Sequence, residues 1–196
     1  MLRENVLQRI ELIKERYHPL NPEVYEFDAR IFEKTIQVDK IGKDVFSMPV
    51  FTPFFTEKFL SEVKHFKCSK LPQQQPNSMN KHGLLLDEIG FQDFIDHVRE
   101  EFIQPYSRKL FNEPDLVLDS HKAFVVKYAL GEDTELTNHF DNAEITLNVA
   151  LSQNYECGEL VFNTCNSMTG KITPRFGYEH KFGHGVLHKV TRRIRS

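Results

Sequence analysis

The stretch Thr137-Asn138-His139-Phe140-Asp141-Asn142 places an imidazole and a carboxylate two residues apart. In extended backbone, residues i and i+2 project to the same side, so His139 and Asp141 can reach one point. Forty-seven residues after Asp141 comes His188, which ends the apolar run Gly185-Val186-Leu187-His188. Two imidazoles and one carboxylate make a facial donor set suited to a divalent non-haem iron. Three protein donors on one side leave the opposite positions open for a co-substrate and O2, and no thiolate is required. Spacing leaves the third donor open among His180, His184 and His188, which recur every four residues as on a helix face. Gly183 and Gly185 interrupt a helix there, and His188 follows the most strand-like run, which favours it. A bare His-x-Asp is equally the pattern of a strand-entry histidine beside a solvated aspartate. Cys157 and Cys165 flank a short strand, but no second close pair completes a zinc site. Glu132, Asp133 and Glu135 read as a solvated loop, and the closing TRRIRS as a solvated basic tail.

The elements around these residues change period partway along the chain. Leu2, Val6, Ile10, Ile13 and Tyr17 fall on one helical face, which His18-Pro19 and Asn21-Pro22 then end. A charged stretch with weak helical pattern around 29–35 runs to about Asp44. Thr56 reads as the N-cap of a helix to about Phe66, with Phe55 stapled on Leu60. LPQQQPNSMNKHG, 71–83, is a polar loop, either linker or mobile. A helix from Phe91 to Phe111 should kink at Pro105. Thereafter short strands dominate: Ala123–Ala129, Ala143–Leu151, Glu159–Phe162 and Gly185–His188. In the second of these, Ile145, Leu147, Val149 and Leu151 alternate with Thr146, Asn148 and Ala150. Helices first and strands later predict an α+β fold, with a sandwich or barrel at the C-terminal end.

Composition bounds the rest. The chain has 196 residues, 40% hydrophobic and 27% charged, with 17 Phe, which is enough for a packed core and excludes wholesale disorder. Net charge is -3, so no global basic field points to nucleic acid. Residues 83–160 carry 16 acidic against 5 basic side chains, which favours a cation somewhere in the middle of the chain. No apolar stretch approaches the length of a membrane span. Three Cys and a charged N-terminus, MLRENVLQRIELIKERY, fit an intracellular protein of the cytoplasm or nucleus rather than a disulfide-stapled secreted domain.

The long matching segments are PNSMNKHGLLLDEIGF, LDSHKAFVVKYALGED, HFDNAEITLNVALS, CGELVF and GHGVLH. On these the chain resembles the 2-oxoglutarate- and Fe(II)-dependent oxygenases of the prolyl/lysyl hydroxylase type. The resemblance implies a double-stranded β-helix (jelly roll) with helices packed before and around it. It divides the chain into a helical region, 1–118, and a dioxygenase core, 119–196. It implies Fe(II), 2-oxoglutarate and O2 as cofactors, ascorbate as an accessory, and a protein or peptide side chain as the substrate hydroxylated. His139, Asp141 and His188 match the iron ligands. Tyr128 stands where the family places a tyrosine that bonds the 2-oxoglutarate carboxylate, and Asn148 and Thr146 share the strand face expected to line the pocket.

The family continues past the distal histidine into a strand with Gly-x-Arg, whose guanidinium grips 2-oxoglutarate bidentately. Here KVTRRIRS follows His188; Arg192, Arg193 and Arg195 come early and lack that strand. The expectation is an incomplete core, its last strand missing, as in a truncated or spliced form. Loss of such a pair weakens co-substrate binding by roughly 30- to several-thousand-fold. The competing reading is a non-catalytic metal-binding or interaction protein of the same fold.

Overall fold

A computed structural model describes residues 2–136, 139, 141–153, 156–165 and 172–190 of the chain; the side chains of 2–4, 164–165 and 172–175 are not described. The architecture is mixed helix and antiparallel sheet, an α+β arrangement. Two compact units are present, and their segments interleave along the chain. Unit 1 comprises 1–31 and 54–136; unit 2 comprises 32–53 and 137–196.

Unit 1 is built from α1 (Leu2–Arg16), α2 (Pro53–Cys68), α3 (Gln92–Val98), α4 (Gln104–Leu110) and the strand pair β3 (Gly83–Leu85) with β4 (Phe124–Val126). The unit 1 core is aromatic. Phe55, Phe59, Val63 and Phe66 of α2 are buried with Phe91, Phe94, Val98 and Phe102. Tyr25 stacks on Phe91 at 4.1 Å between centroids, and Phe55 stacks on Phe94 at 5.5 Å.

Helix α2 starts at Pro53, not beyond Thr56. Proline at the first helical position has its φ preset and lacks an N–H that would have no helical partner there. Thr56 therefore lies inside the helix, fully buried, and does not cap it. The expected kink at Pro105 takes the form of a π-helical turn, Arg99–Ile103, inserted between α3 and α4. The wider turn precedes the residue that cannot donate to the ladder.

At the centre of unit 1 lies Glu62, a fully buried carboxylate. Its oxygens accept from the Tyr17 hydroxyl (2.5 Å), the Asn21 backbone N–H (2.7 Å), the Asn21 side-chain amide (3.2 Å), the Tyr25 hydroxyl (3.2 Å) and the Leu20 N–H (3.3 Å). The segment after α1 is thus tied to α2 by a charge that its neighbours satisfy.

Unit 2 holds β1 (Asp39–Gly42), β2 (Val45–Pro49), β5 (Ile145–Val149), β6 (Leu160–Cys165), β7 (Ile172–Tyr178) and β8 (His184–Lys189). Four strands form one antiparallel sheet in the order β1-β2-β8-β5, and β6 pairs with β7. β8 is central and its Val186 and Leu187 are fully buried. Among the described residues β5 pairs only with β8, so it forms an edge of the sheet.

Leu187 lies opposite both Phe46 and Leu147, which puts these three on one face. His188 lies opposite Val45 and Thr146, and Val186 opposite Ser47 and Asn148, which puts these on the other. The hairpin β1–β2 falls in the stretch that reads as merely charged. Its buried run Val45-Phe46-Ser47-Met48 is too short for period counting and is flanked by Lys40, Lys43 and Asp44. Among the described residues no helix is long and apolar enough to cross a membrane.

Candidate functional site

His139 and Asp141 stand at the entry to β5, and His188 stands near the end of the neighbouring β8. The register sets Thr146 directly against His188 and Asn148 against Val186. Directly paired residues share a face, so Thr146, Asn148 and His188 point to one side.

On that side, His139 Nε2 is 3.1 Å from Asp141 Oδ1, and His188 Nε2 is 3.8 Å from Asp141 Oδ2. The Thr146 hydroxyl donates to Asp141 Oδ2 at 2.8 Å, which fixes the carboxylate's rotation. Asn148 Nδ2 lies 3.5 Å from His188 Nε2, at the limit of a hydrogen bond. The Phe162 ring meets His188 edge-on at 5.2 Å and stacks on Phe176 at 5.0 Å. The β6–β7 pair therefore closes over the imidazole with aromatic rings.

Burial sets the electrostatics. The His188 side chain is 14% exposed, against 30% for Asp141 and 32% for His139. Burial lowers the His188 pKa; nearby His139 lowers it further and Asp141 opposes both. Its imidazole is held toward the neutral form, which is the form that ligates a metal.

Two donors about 2.1 Å from one ion, at right angles, are about 3.0 Å apart. The His139–Asp141 separation matches that span, and the His188 arm is wider. Among the described residues no group of three or more His, Cys, Asp or Glu side chains closes into a metal site as it stands. The donor chemistry, two imidazoles and one carboxylate without thiolate, fits an open divalent site.

Sequence reading passes over three side chains here. Ser47 lies on the His188 face of the sheet, and its Oγ is 2.6 Å from the Tyr178 hydroxyl. Phe162 supplies the ring against His188. Ser47 and Tyr178 sit in strands that short-range pattern does not reveal, and nothing local marks Phe162 as a neighbour of His188.

Tyr128, Glu132 and Asp133 lie within their own unit. Tyr128 belongs to unit 1, where its hydroxyl accepts from Asn80 Nδ2 at 3.4 Å. Burial raises its pKa, so it stays a protonated phenol. Asp133 is not a solvated loop residue. Its Oδ2 accepts the backbone N–H groups of Lys81 (2.7 Å) and His82 (2.8 Å), which hold its carboxyl below the usual range. Glu132 pairs with Lys127 at 2.7 Å.

The 71–83 loop is likewise pinned. Gln74 accepts from Arg9 at 2.9 Å, Asn77 Oδ1 accepts the N–H groups of Met79 and Asn80, and Asn80 is fully buried. Cys157 and Gly158 both have positive φ, 65° and 84°, and Cys157 is a free, exposed thiol at a tight turn. Thr137, Asn138, Phe140, Arg192, Arg193 and Arg195 lie outside the described residues, as does the Cys165 side chain.

Comparison with known proteins supplies the family. The model for the OGFOD2-like domain matches residues 13–115, more than half of the chain. A Homo sapiens protein named 2-oxoglutarate and iron-dependent oxygenase domain-containing protein 2 is 38% identical over 207 residues, covering 92% of this chain and 59% of its own. The protein of the same name from Xenopus tropicalis is 38% identical over 212 residues, 96% of this chain and 60% of its own. An Arabidopsis thaliana relative, 2-oxoglutarate and iron-dependent oxygenase domain-containing protein ICU11, is 33% identical over 159 residues, 76% of this chain and 40% of its own. The chain thus spans about 60% or less of the length of these relatives. With over half of its residues matched, the chain belongs to the OGFOD2-like family, whose relatives above carry 2-oxoglutarate and iron-dependent oxygenase domains in their names.

Proposed function

We propose that the chain is the part of an Fe(II)- and 2-oxoglutarate-dependent dioxygenase that holds the iron, and that the substrate is a protein or peptide side chain. The observation that carries this reading is the meeting of His139, Asp141 and His188 on one face of the β5–β8 ladder. The faced sheets of unit 2 support a jelly-roll core. The relatives' names support iron and 2-oxoglutarate as the cofactors.

His139, Asp141 and His188 would hold the metal. Bound there, iron supplies the activation of O2 coupled to oxidative decarboxylation of 2-oxoglutarate, with ascorbate maintaining the ferrous state. The chain's own work is positional. Thr146 holds Asp141 by its Oδ2 and leaves Oδ1 toward His139. Buried His188, flanked by Phe162, keeps water from one side of the site and presents a neutral nitrogen. Asn148 is placed to bond a co-substrate oxygen beside His188. The free, exposed thiols of Cys68 and Cys157 support a reducing, intracellular compartment.

Titrating Mn(II), then 2-oxoglutarate, into the chain, followed by succinate release with Fe(II), tests this. The expected result is saturable metal binding that His139→Ala abolishes, and succinate above that variant's background. Metal binding without 2-oxoglutarate binding or turnover would favour a non-catalytic metal-binding role. No metal binding would overturn the assignment altogether.

A further inference from the structure

Unit 1 contains a recess of about 190 Å³ that is lined by Lys67, Lys81, His82, Gly83 and the run Gln73–Gln75. Among the described residues no carboxylate lines it. Of the nearby acids, Glu132 pairs with Lys127 through Oε1 and also lies near enough to Lys67 to favour its charge, and Asp133 accepts the N–H groups of Lys81 and His82. Among the described residues neither Lys67 nor Lys81 makes a side-chain ion pair or hydrogen bond. His82 Nδ1 lies 3.3 Å from the Asp133 N–H and 3.4 Å from Asp133 Oδ1, so His82 faces Asp133 through that nitrogen and has Nε2 left for a ligand.

The recess is built, not a chance gap between surface chains. Arg9 holds Gln74 at 2.9 Å while its Nε bonds Glu88 at 2.9 Å. Gly83 brings the backbone close to β4: a Cβ there would lie 2.0 Å from the Val125 carbonyl oxygen. Lys67, half-buried in the last turn of α2, is the costliest member. Burial first and then the nearby Lys127 charge disfavour its protonated form, and the Glu132 carboxylate only partly offsets them. A half-desolvated lysine among amide donors, with no carboxylate in direct contact among the described residues, is stabilised by an anion that brings its own oxygens.

We propose that this recess binds a small polyanion bearing carboxylate or phosphate oxygens, held by Lys67, Lys81, His82 and the Gln73–Gln75 amides. Its volume equals roughly six water molecules, which suits a tricarboxylate or a diphosphate rather than a large ligand. The site lies wholly within unit 1 and needs no iron, so it stands or falls separately from the dioxygenase reading.

The test is amide-resolved NMR and calorimetry on the whole 196-residue chain in metal-free buffer, with citrate in one arm and inorganic pyrophosphate in the other. The expected result is saturable shifts at Gln73–Gln75 and Lys81–Gly83 in at least one arm, the arms telling carboxylate from phosphate. Lys67→Gln should weaken that binding about tenfold, while Lys64→Gln, an exposed lysine of the same helix outside the recess, should leave it unchanged. Lys81→Gln, at an exposed position, gives the same weakening should Lys67→Gln fail to fold. No saturable shift in either arm, shifts centred elsewhere, or equal losses in the recess variants and Lys64→Gln would overturn the proposal.

Discussion

Glu62 and Asp141 are both carboxylates ringed by polar neighbours, one in each compact unit, and they are held in opposite ways. Glu62 is fully buried and receives five hydrogen bonds from hydroxyl and amide donors. Nothing is left for it to bind, and moving it would strand buried donors. Asp141 is 30% exposed, takes one hydroxyl donor from Thr146, and otherwise faces two imidazoles. Those imidazoles are donors to a metal as readily as partners to a carboxylate. A buried, saturated charge stabilises a fold; a half-exposed carboxylate beside two imidazoles is the arrangement a ligand site calls for.

That contrast can be broken by experiment. Glu62→Ala should cost unit 1 on the order of 3–5 kcal/mol, because Tyr17, Asn21 and Tyr25 lose their acceptor in a dry interior. Urea unfolding followed by resolved amide signals would check it; a loss below about 1 kcal/mol would make Glu62 dispensable. Asp141→Ala should do the reverse, with metal affinity falling more than about 100-fold while the unfolding midpoint stays nearly fixed. Equal effects of the two substitutions on stability would erase the distinction. Thr146→Val keeps the side-chain shape and removes the hydroxyl that orients Asp141. It should weaken metal binding about tenfold, read by the same Mn(II) titration.

The smallest effect is one of pH. Burial first, and the Glu62 carboxylate with it, pushes the Tyr17 and Tyr25 phenols well above the ordinary range. A raised folded pKa contributes stability that is complete below the unfolded value, about 10, and is lost as pH rises above it. Of the six tyrosines, these two should remain un-ionised in the folded chain near pH 11 and titrate only as unit 1 unfolds. Absorbance at 295 nm, set beside circular dichroism, reads both events. Smooth ionisation of all six before unfolding would contradict the burial argument.

How far the chain could be read without coordinates depended on range. The α1 face, the alternation of β5 and the His-x-Asp pair are local patterns, and helical and strand periods express them directly. The hairpin β1–β2 stayed hidden because its buried run, Val45-Phe46-Ser47-Met48, is only four residues long. The pinning of 71–83 stayed hidden because Arg9, the partner of Gln74, lies 65 positions away. Asp133 reads as solvated for the same reason: the two N–H groups it serves come from residues 81 and 82.

The sequence by itself determined the donor types, their order, and the family segments that give them meaning, since these are properties of neighbouring residues. Only the tertiary structure decided how near His188, already favoured by its strand-like run, stands to the pair. His180, His184 and His188 were equal candidates by spacing. The antiparallel register of β8 on β5 sets His188 opposite Thr146 and so within 3.8 Å of Asp141. Register is a long-range choice, fixed by which face of each strand must be buried, and no local pattern contains it.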